Sequence, residues 1–147
     1  MVHPVSTSLG LDTAETIASE ALTHRKAQGF LPLTVVVLDA GGHIVTAKRE
    51  DGSGIVRMDV ALAKAWGAVG MGLNARTIGE RLGGNPGFLG GIVAASGGRV
   101  APNHGGVLIL DDGGTVIGAV GISGDTGEND ELCARAGIAK AGLTAAD

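Results

Sequence analysis

Two segments of the chain, 72 positions apart, carry the same pattern. Val37-Leu38-Asp39-Ala40-Gly41-Gly42-His43-Ile44-Val45-Thr46-Ala47 aligns with Ile109-Leu110-Asp111-Asp112-Gly113-Gly114-Thr115-Val116-Ile117-Gly118-Ala119. Leu, Asp, both glycines and the final Ala are identical, and the apolar positions match in kind. Each copy reads as strand, tight turn, strand. Glycine accepts the positive φ of a hairpin turn, and Asp bonds readily to nearby backbone amides. The echo therefore fixes a frame of paired antiparallel strands.

The rest of the pattern fills in around that frame. Asp12-Thr13-Ala14-Glu15 has capping-box spacing and opens a helix to about Gln28, with Ala14, Ile17, Ala18, Ala21 and Leu22 as its apolar stripe. Thr34 to Asp39 is a buried strand and His43 to Arg49 its return. Arg57 to about Gly72 reads as a helix apolar nearly all round, which places it in the core or at a subunit contact. Ala75 to Leu82 is a shorter amphipathic helix, Gly83 to Gly87 a loop, and Ile92 to Ala95 a short strand. The second hairpin spans Val107 to Ile122, and a helix from about Asp125 to Ala141 closes the chain. This order, helix, two strands, two helices, about three strands, helix, gives an α/β sandwich of the α+β type with a largely antiparallel sheet.

At 147 residues with no composition shift, the chain reads as one domain, 1–147, with residues 1–10 a flexible lead-in. A net charge of −4, no basic stripe, no Tyr, two Phe and one Trp argue against nucleic acid. No segment has the length and apolarity of a membrane span, and none resembles a signal peptide. The single cysteine, Cys133, makes no internal disulfide, which fits a cytoplasmic location.

Several residues could carry chemistry. Ser123, in Gly121-Ile122-Ser123-Gly124, sits between strand and helix like a nucleophile elbow, but Asp125 stands where the motif needs glycine. The amides there either hold an anion or simply make a tight turn. The four histidines show no metal-site spacing. His43 flanks a turn and reads as partly exposed. His24 lies two helical turns after Ile17, on the core-facing stripe, and is either a core residue or an axial ligand to haem iron. Lys64 is the only charge between Asp59 and Arg76. It either faces a pocket for an anion or pairs, with Asp59 or a partner subunit the nearest choices. Lys48-Arg49-Glu50-Asp51-Gly52 reads as a solvated turn with mutual pairing, and Asp125, Glu128, Asp130 and Glu131 as helix-capping acids.

An ordered set of these segments resembles a known family. It comprises the Val37–His43 turn, Lys48–Gly52, the isolated Lys64, Gly84-Asn85-Pro86, Gly105-Gly106-Val107 and Gly118–Gly124. The chain is similar, from roughly Leu11 to Leu143, to the haem-degrading or GlcG-like family, which includes haem-binding HbpS and the C-terminal domain of PduO-type proteins. The resemblance implies a five-stranded antiparallel sheet flanked by helices, homo-oligomers from dimers to octamers, and ligand pockets near subunit contacts. It implies binding or breakdown of haem, corrinoid-linked roles, or lyase chemistry on small hydroxylamino-aromatic acids. His24 matches a first-helix position where some members carry a haem-ligating histidine. The stretch Ser96 to His104 departs from the simplest family pattern and brings Arg99 and His104 near the expected pocket.

Two functions follow as expectations. The first is an oligomeric binder of haem or a related tetrapyrrole, with His24 as axial ligand and Lys64 or Arg99 meeting the propionates. The second is a lyase or hydrolase acting on a carboxylated small molecule, aromatic ones included, in a pocket between subunits. There Lys64 and Arg99 hold the carboxylate, His104 performs acid–base work, and Ser123 with the following amide of Gly124 stabilises negative charge. Asn85, Gly105 and Gly106 complete the expected ligand-binding set.

Overall fold

The computed structural model describes residues 1–147. In chain order the elements are α1 (Leu11–Gln28), β1 (Thr34–Asp39), β2 (Ile44–Arg49), α2 (Val56–Met71), α3 (Ala75–Leu82) and α4 (Pro86–Ala95), followed by β3 (Gly106–Leu110), β4 (Val116–Ser123), α5 (Gly127–Lys140) and β5 (Thr144–Ala145). The five strands form one antiparallel sheet in the order β2-β1-β4-β3-β5.

The two echoing segments are the same hairpin built twice. Asp39 Oδ1 accepts from the amides of Gly41 and His43 at 2.9 and 3.0 Å, and Asp111 Oδ1 accepts from those of Gly113 and Thr115, both at 2.9 Å. Gly42 and Gly114 take φ of +80° and +79°, which is the reason glycine recurs there. Both hairpins carry a register shift one step before the turn. They lie side by side, because β1 also pairs with β4 from Thr34↔Ser123 to Asp39↔Gly118.

Alternation along the strands divides the core into two layers. Val35, Val37, Val107, Ile109, Val120 and Ile122 face α1 and α5. Val36, Leu38, Leu108 and Ala119 face α2, which meets them through Ala61, Ala65 and Ala68. Such small side chains let the helix axis come close to the sheet.

Three expectations are corrected. Ile92 to Ala95 is the end of α4 rather than a strand. Asn85 Oδ1 accepts from Phe88 N at 3.2 Å and Pro86 takes the first helical turn, so an Asn-Pro start signal outweighs the glycines around it. The fifth strand is instead β5, after α5, paired to β3 through Ile109↔Ala145 and Leu110↔Thr144. Finally, α1 begins at Leu11 behind Gly10 with no side-chain cap, so Asp12 lies inside the first turn and the capping box does not form. Ahead of it Leu9 is buried in the core, and Ser8 Oγ bridges the carbonyl of Ile117 and the amide of Ala40.

Candidate functional site

Lys64 projects from α2 and is only 4% exposed. Its ammonium donates to the Ile122 carbonyl at 2.8 Å and to Asp130 Oδ2 at 3.1 Å. The pairing partner is therefore an acid of α5, neither Asp59 nor a second subunit. The two helices pack on opposite faces of the sheet, so the pair crosses from one layer to the other.

Gly105 and Gly106 make that crossing possible. A Cβ on Gly105 would stand 3.0 Å from Lys64 Nζ and 2.8 Å from the Ile122 carbonyl, and one on Gly106 would strike the Lys64 carbonyl. Their place in the sequence pattern is thus explained by packing around Lys64. Burial pushes the Asp130 carboxyl above the usual aspartate range, against the opposing pull of the Asp125 amide and of Lys64. Asp125 N donates to Asp130 Oδ1 at 3.0 Å, so both oxygens of the buried acid are bonded. Asp130 was legible in the sequence only as a capping acid; its burial follows from the apolar Cys133 and Ala134 of the same face.

Ser123 ends β4, is 1% exposed, and its Oγ lies 3.2 Å from Arg57 Nη1. No histidine bonds to it, so the elbow resemblance is geometric only. Gly124 lies against the Pro32 carbonyl and Leu33, with no room for a Cβ. It forms part of the wall of a cavity of about 430 Å³ at the start of α2, with Pro32, Ser53 and Arg57. Arg57 was not singled out from the sequence, because an arginine in the first turn of a helix carries no motif.

His104 is half-buried, packs against Gly127 at the head of α5, and its amide donates to Asn103 Oδ1 at 2.9 Å. It lines an open cleft of about 570 Å³ with Arg76, Glu131 and Arg135. Both arginines are drawn to Glu131 Oε1, Arg135 Nη2 at 2.9 Å and Arg76 Nε at 3.5 Å.

Arg99 is exposed and lies on the α2 side of the molecule, its guanidinium 4.0 Å from the Trp66 ring centre and its Nε donating to the Ser96 carbonyl at 2.7 Å. Beside it, Trp66, Met71, Ile92 and Val100 line an apolar groove of about 270 Å³ between α2 and α4. Asn85 serves as the α4 cap. Within one chain, then, Lys64, Arg99 and His104 line no common cavity.

His24 sits near the end of α1, half-buried, past the buried part of the stripe, which stops at Ala21. The expected core-facing position is corrected accordingly. Its ring meets Phe30 edge-on at 6.5 Å and makes no hydrogen bond to the chain. His43 is 81% exposed beside its turn aspartate. The charge run pairs with α1 rather than with itself: Lys48 with Glu15 at 2.8 Å and Glu50 with Arg25 at 2.9 Å. Cys133 is buried, and desolvation pushes its thiol up to about 12. No group of three or more His, Cys, Asp or Glu side chains is placed to hold a metal ion, and no helix is long and apolar enough to cross a membrane.

Comparison with known proteins adds the following. Residues 9–139 match the family described as haem degrading protein, HbpS-like. An uncharacterised 15.0 kDa protein of the dhaT-dhaS intergenic region of Citrobacter freundii is 31% identical over 121 residues, 82% of this chain and 83% of that protein. The crystal structure of a PduOC–heme complex superposes with a TM-score of 0.84 at 26% identity, over 95% of this chain and 99% of that one. A double mutant of HbpS from Streptomyces reticuli gives a TM-score of 0.78 at 27% identity, over 95% and 97% of the two chains.

Proposed function

We propose that this chain, which belongs to the HbpS-like family, binds haem or a related tetrapyrrole as one subunit of a homo-oligomer. The observation that carries the reading is His24. Of the histidines it is the half-buried one whose ring nitrogens have no partner in the chain, so either can meet an iron without breaking a bond. Phe30, edge-on to the imidazole, adds apolar surface of the kind a porphyrin covers. A solved neighbour that holds heme supports the same ligand class.

The residues fit haem in donor chemistry and leave the walls incomplete. His24 lines none of the cavities of a single chain, so the second wall has to come from another subunit. Subunit association is supported by α4: Pro-Gly-Phe-Leu-Gly-Gly-Ile-Val-Ala-Ala is wholly apolar, yet none of it is buried, and Phe88 is 55% exposed. Bound haem would supply the iron centre, while this chain supplies an imidazole and an apolar edge. Lys64 is committed to Asp130, and Arg99 faces the α2–α4 side, so neither is free beside His24 to hold a propionate in the same chain. His104 is likewise apart from Lys64 and Arg99 within one chain, so the lyase or hydrolase reading also needs a pocket completed by another subunit.

Hemin titration followed through the Soret band tests the proposal. The wild-type band is expected to shift and sharpen on binding, and His24→Ala to lose that signature. A flat wild-type titration overturns the binding role, and an unchanged His24→Ala spectrum removes the axial one.

A further inference from the structure

We propose that the cavity at the start of α2 binds a small carboxylate with a short apolar body, and that Arg57 receives the carboxylate. The inference is independent of where a tetrapyrrole binds. The cavity, about 430 Å³, is bounded by Leu31, Pro32, Ser53, Val56, Arg57 and Gly124. That size falls in the usual range for small-molecule sites, roughly 300–1,000 Å³.

Arg57 is the reason to expect an anion. It is half-buried, and the only hydrogen bond of its guanidinium runs from Nη1 to Ser123 Oγ at 3.2 Å. Arg25, Arg76 and Arg135 each have a carboxylate within 4 Å; Arg57, like the exposed Arg49, Arg81 and Arg99, has none, and of these four it alone is half-buried. The Nε and Nη2 edge of its guanidinium is therefore left as an unmatched fork, the geometry that suits the two oxygens of a planar carboxylate. Ser123, almost wholly buried, fixes the other edge and makes it a positioning residue.

Two further features agree with this polarity. The amides of Gly54, Ile55 and Val56 have no acceptor in the chain, and they stand at the positive head of the 16-residue α2, which has no side-chain cap. Asp125, which follows Gly124 of the cavity wall, is already occupied: Oδ2 accepts from Leu31 N at 2.7 Å, and Oδ1 from Thr126 N and Asn129 Nδ2. Asp51 and Asp59, which flank the segment in sequence, are exposed. The remaining wall, Leu31, Pro32 and Val56, is aliphatic, and neighbouring Ile55 is 90% exposed. One cation over an aliphatic wall suits a monocarboxylate better than a phosphate, which would call for more positive charge.

Titration calorimetry with hexanoate, the neutral hexanamide and inorganic phosphate tests the assignment on the intact protein. Hexanoate is expected to bind, hexanamide to bind at least about tenfold more weakly, and Arg57→Gln to remove the difference between them, as loss of a charge-assisted pair requires. Ser123→Ala, which keeps the charge and frees the side chain, is expected to weaken hexanoate severalfold. Thermal melts of both variants check that they fold. Equal binding of acid and amide, hexanoate binding unchanged by Arg57→Gln in a folded protein, or binding of phosphate alone overturns the proposal. Because Leu31 adjoins Phe30, hemin is titrated into Arg57→Gln as well. Weakened hemin binding without any hexanoate binding to the wild type assigns the cavity to a propionate, and also overturns it.

Discussion

Lys64 on α2 and Asp130 on α5 meet at 3.1 Å although their helices cover opposite faces of the sheet. The pair is a buried tie between layers, with Gly105 and Gly106 leaving it the room to pass. Its charges are nearly out of water, so removing one strands the other.

Lys64→Met and Asp130→Asn should each destabilise the fold by about 3–5 kcal/mol, the usual penalty for breaking a buried pair. The double variant Lys64→Met, Asp130→Asn should recover much of that loss. Urea unfolding of the set measures it, and losses that simply add in the double variant would contradict the tie.

Phe88 leaves more than half its surface open on a helix with no buried residue. Phe88→Asp should lower the solution mass of the particle without lowering the melting temperature of the subunit. Light scattering after gel filtration reads the first quantity and a thermal melt the second. An unchanged mass would rule out α4 as a contact between subunits.

Asp125 is held below the usual aspartate range, chiefly by the Leu31 amide, then by the Thr126 amide and the Asn129 side chain. A lowered acid in the folded state contributes stability that is full above the unfolded-state pKa. It disappears as pH falls through the folded-state value. The stability gap between wild type and Asp125→Ala should therefore hold through neutral pH and narrow below about pH 4. Melting curves across that interval check the sign; a gap that widens on acidification would be incompatible with it.

Cys133, with its thiol pushed up to about 12 in the core, should not react with a disulfide reagent at neutral pH while the protein is folded. It should react fully once the chain is unfolded in urea. Rapid labelling of the native protein would show that α5 opens locally.

Much of the frame was legible because its signals are local. Asp39 with Gly42, and Asp111 with Gly114, lie within a few residues of the groups they satisfy, so their chemistry shows in the letters. The same is true of Thr126, which caps α5 by accepting from Asn129 N at 3.3 Å. The α4 helix was obscured by its own composition, since three of the five residues Gly83 to Gly87 are glycines that signal a loop while the Asn-Pro start is a two-residue cue. The site was harder. Lys64 stands out as an isolated charge, but its partner lies 66 positions away and is chosen by the stacking of two layers. Arg57 and Ser123 are likewise 66 apart, and neither has a neighbour in sequence that hints at the other.

The repeated hairpin also bears on how the chain reaches its final form. Each copy closes over a handful of residues, so both can form early and independently. The seam between them, β1 against β4, joins Thr34 to Ser123 across more than half the chain. Loop closure of that length is the slow event. Folding rate should thus depend on the seam, on the alanines of α2 that back it, and on the two turns, which are already closed when the seam forms.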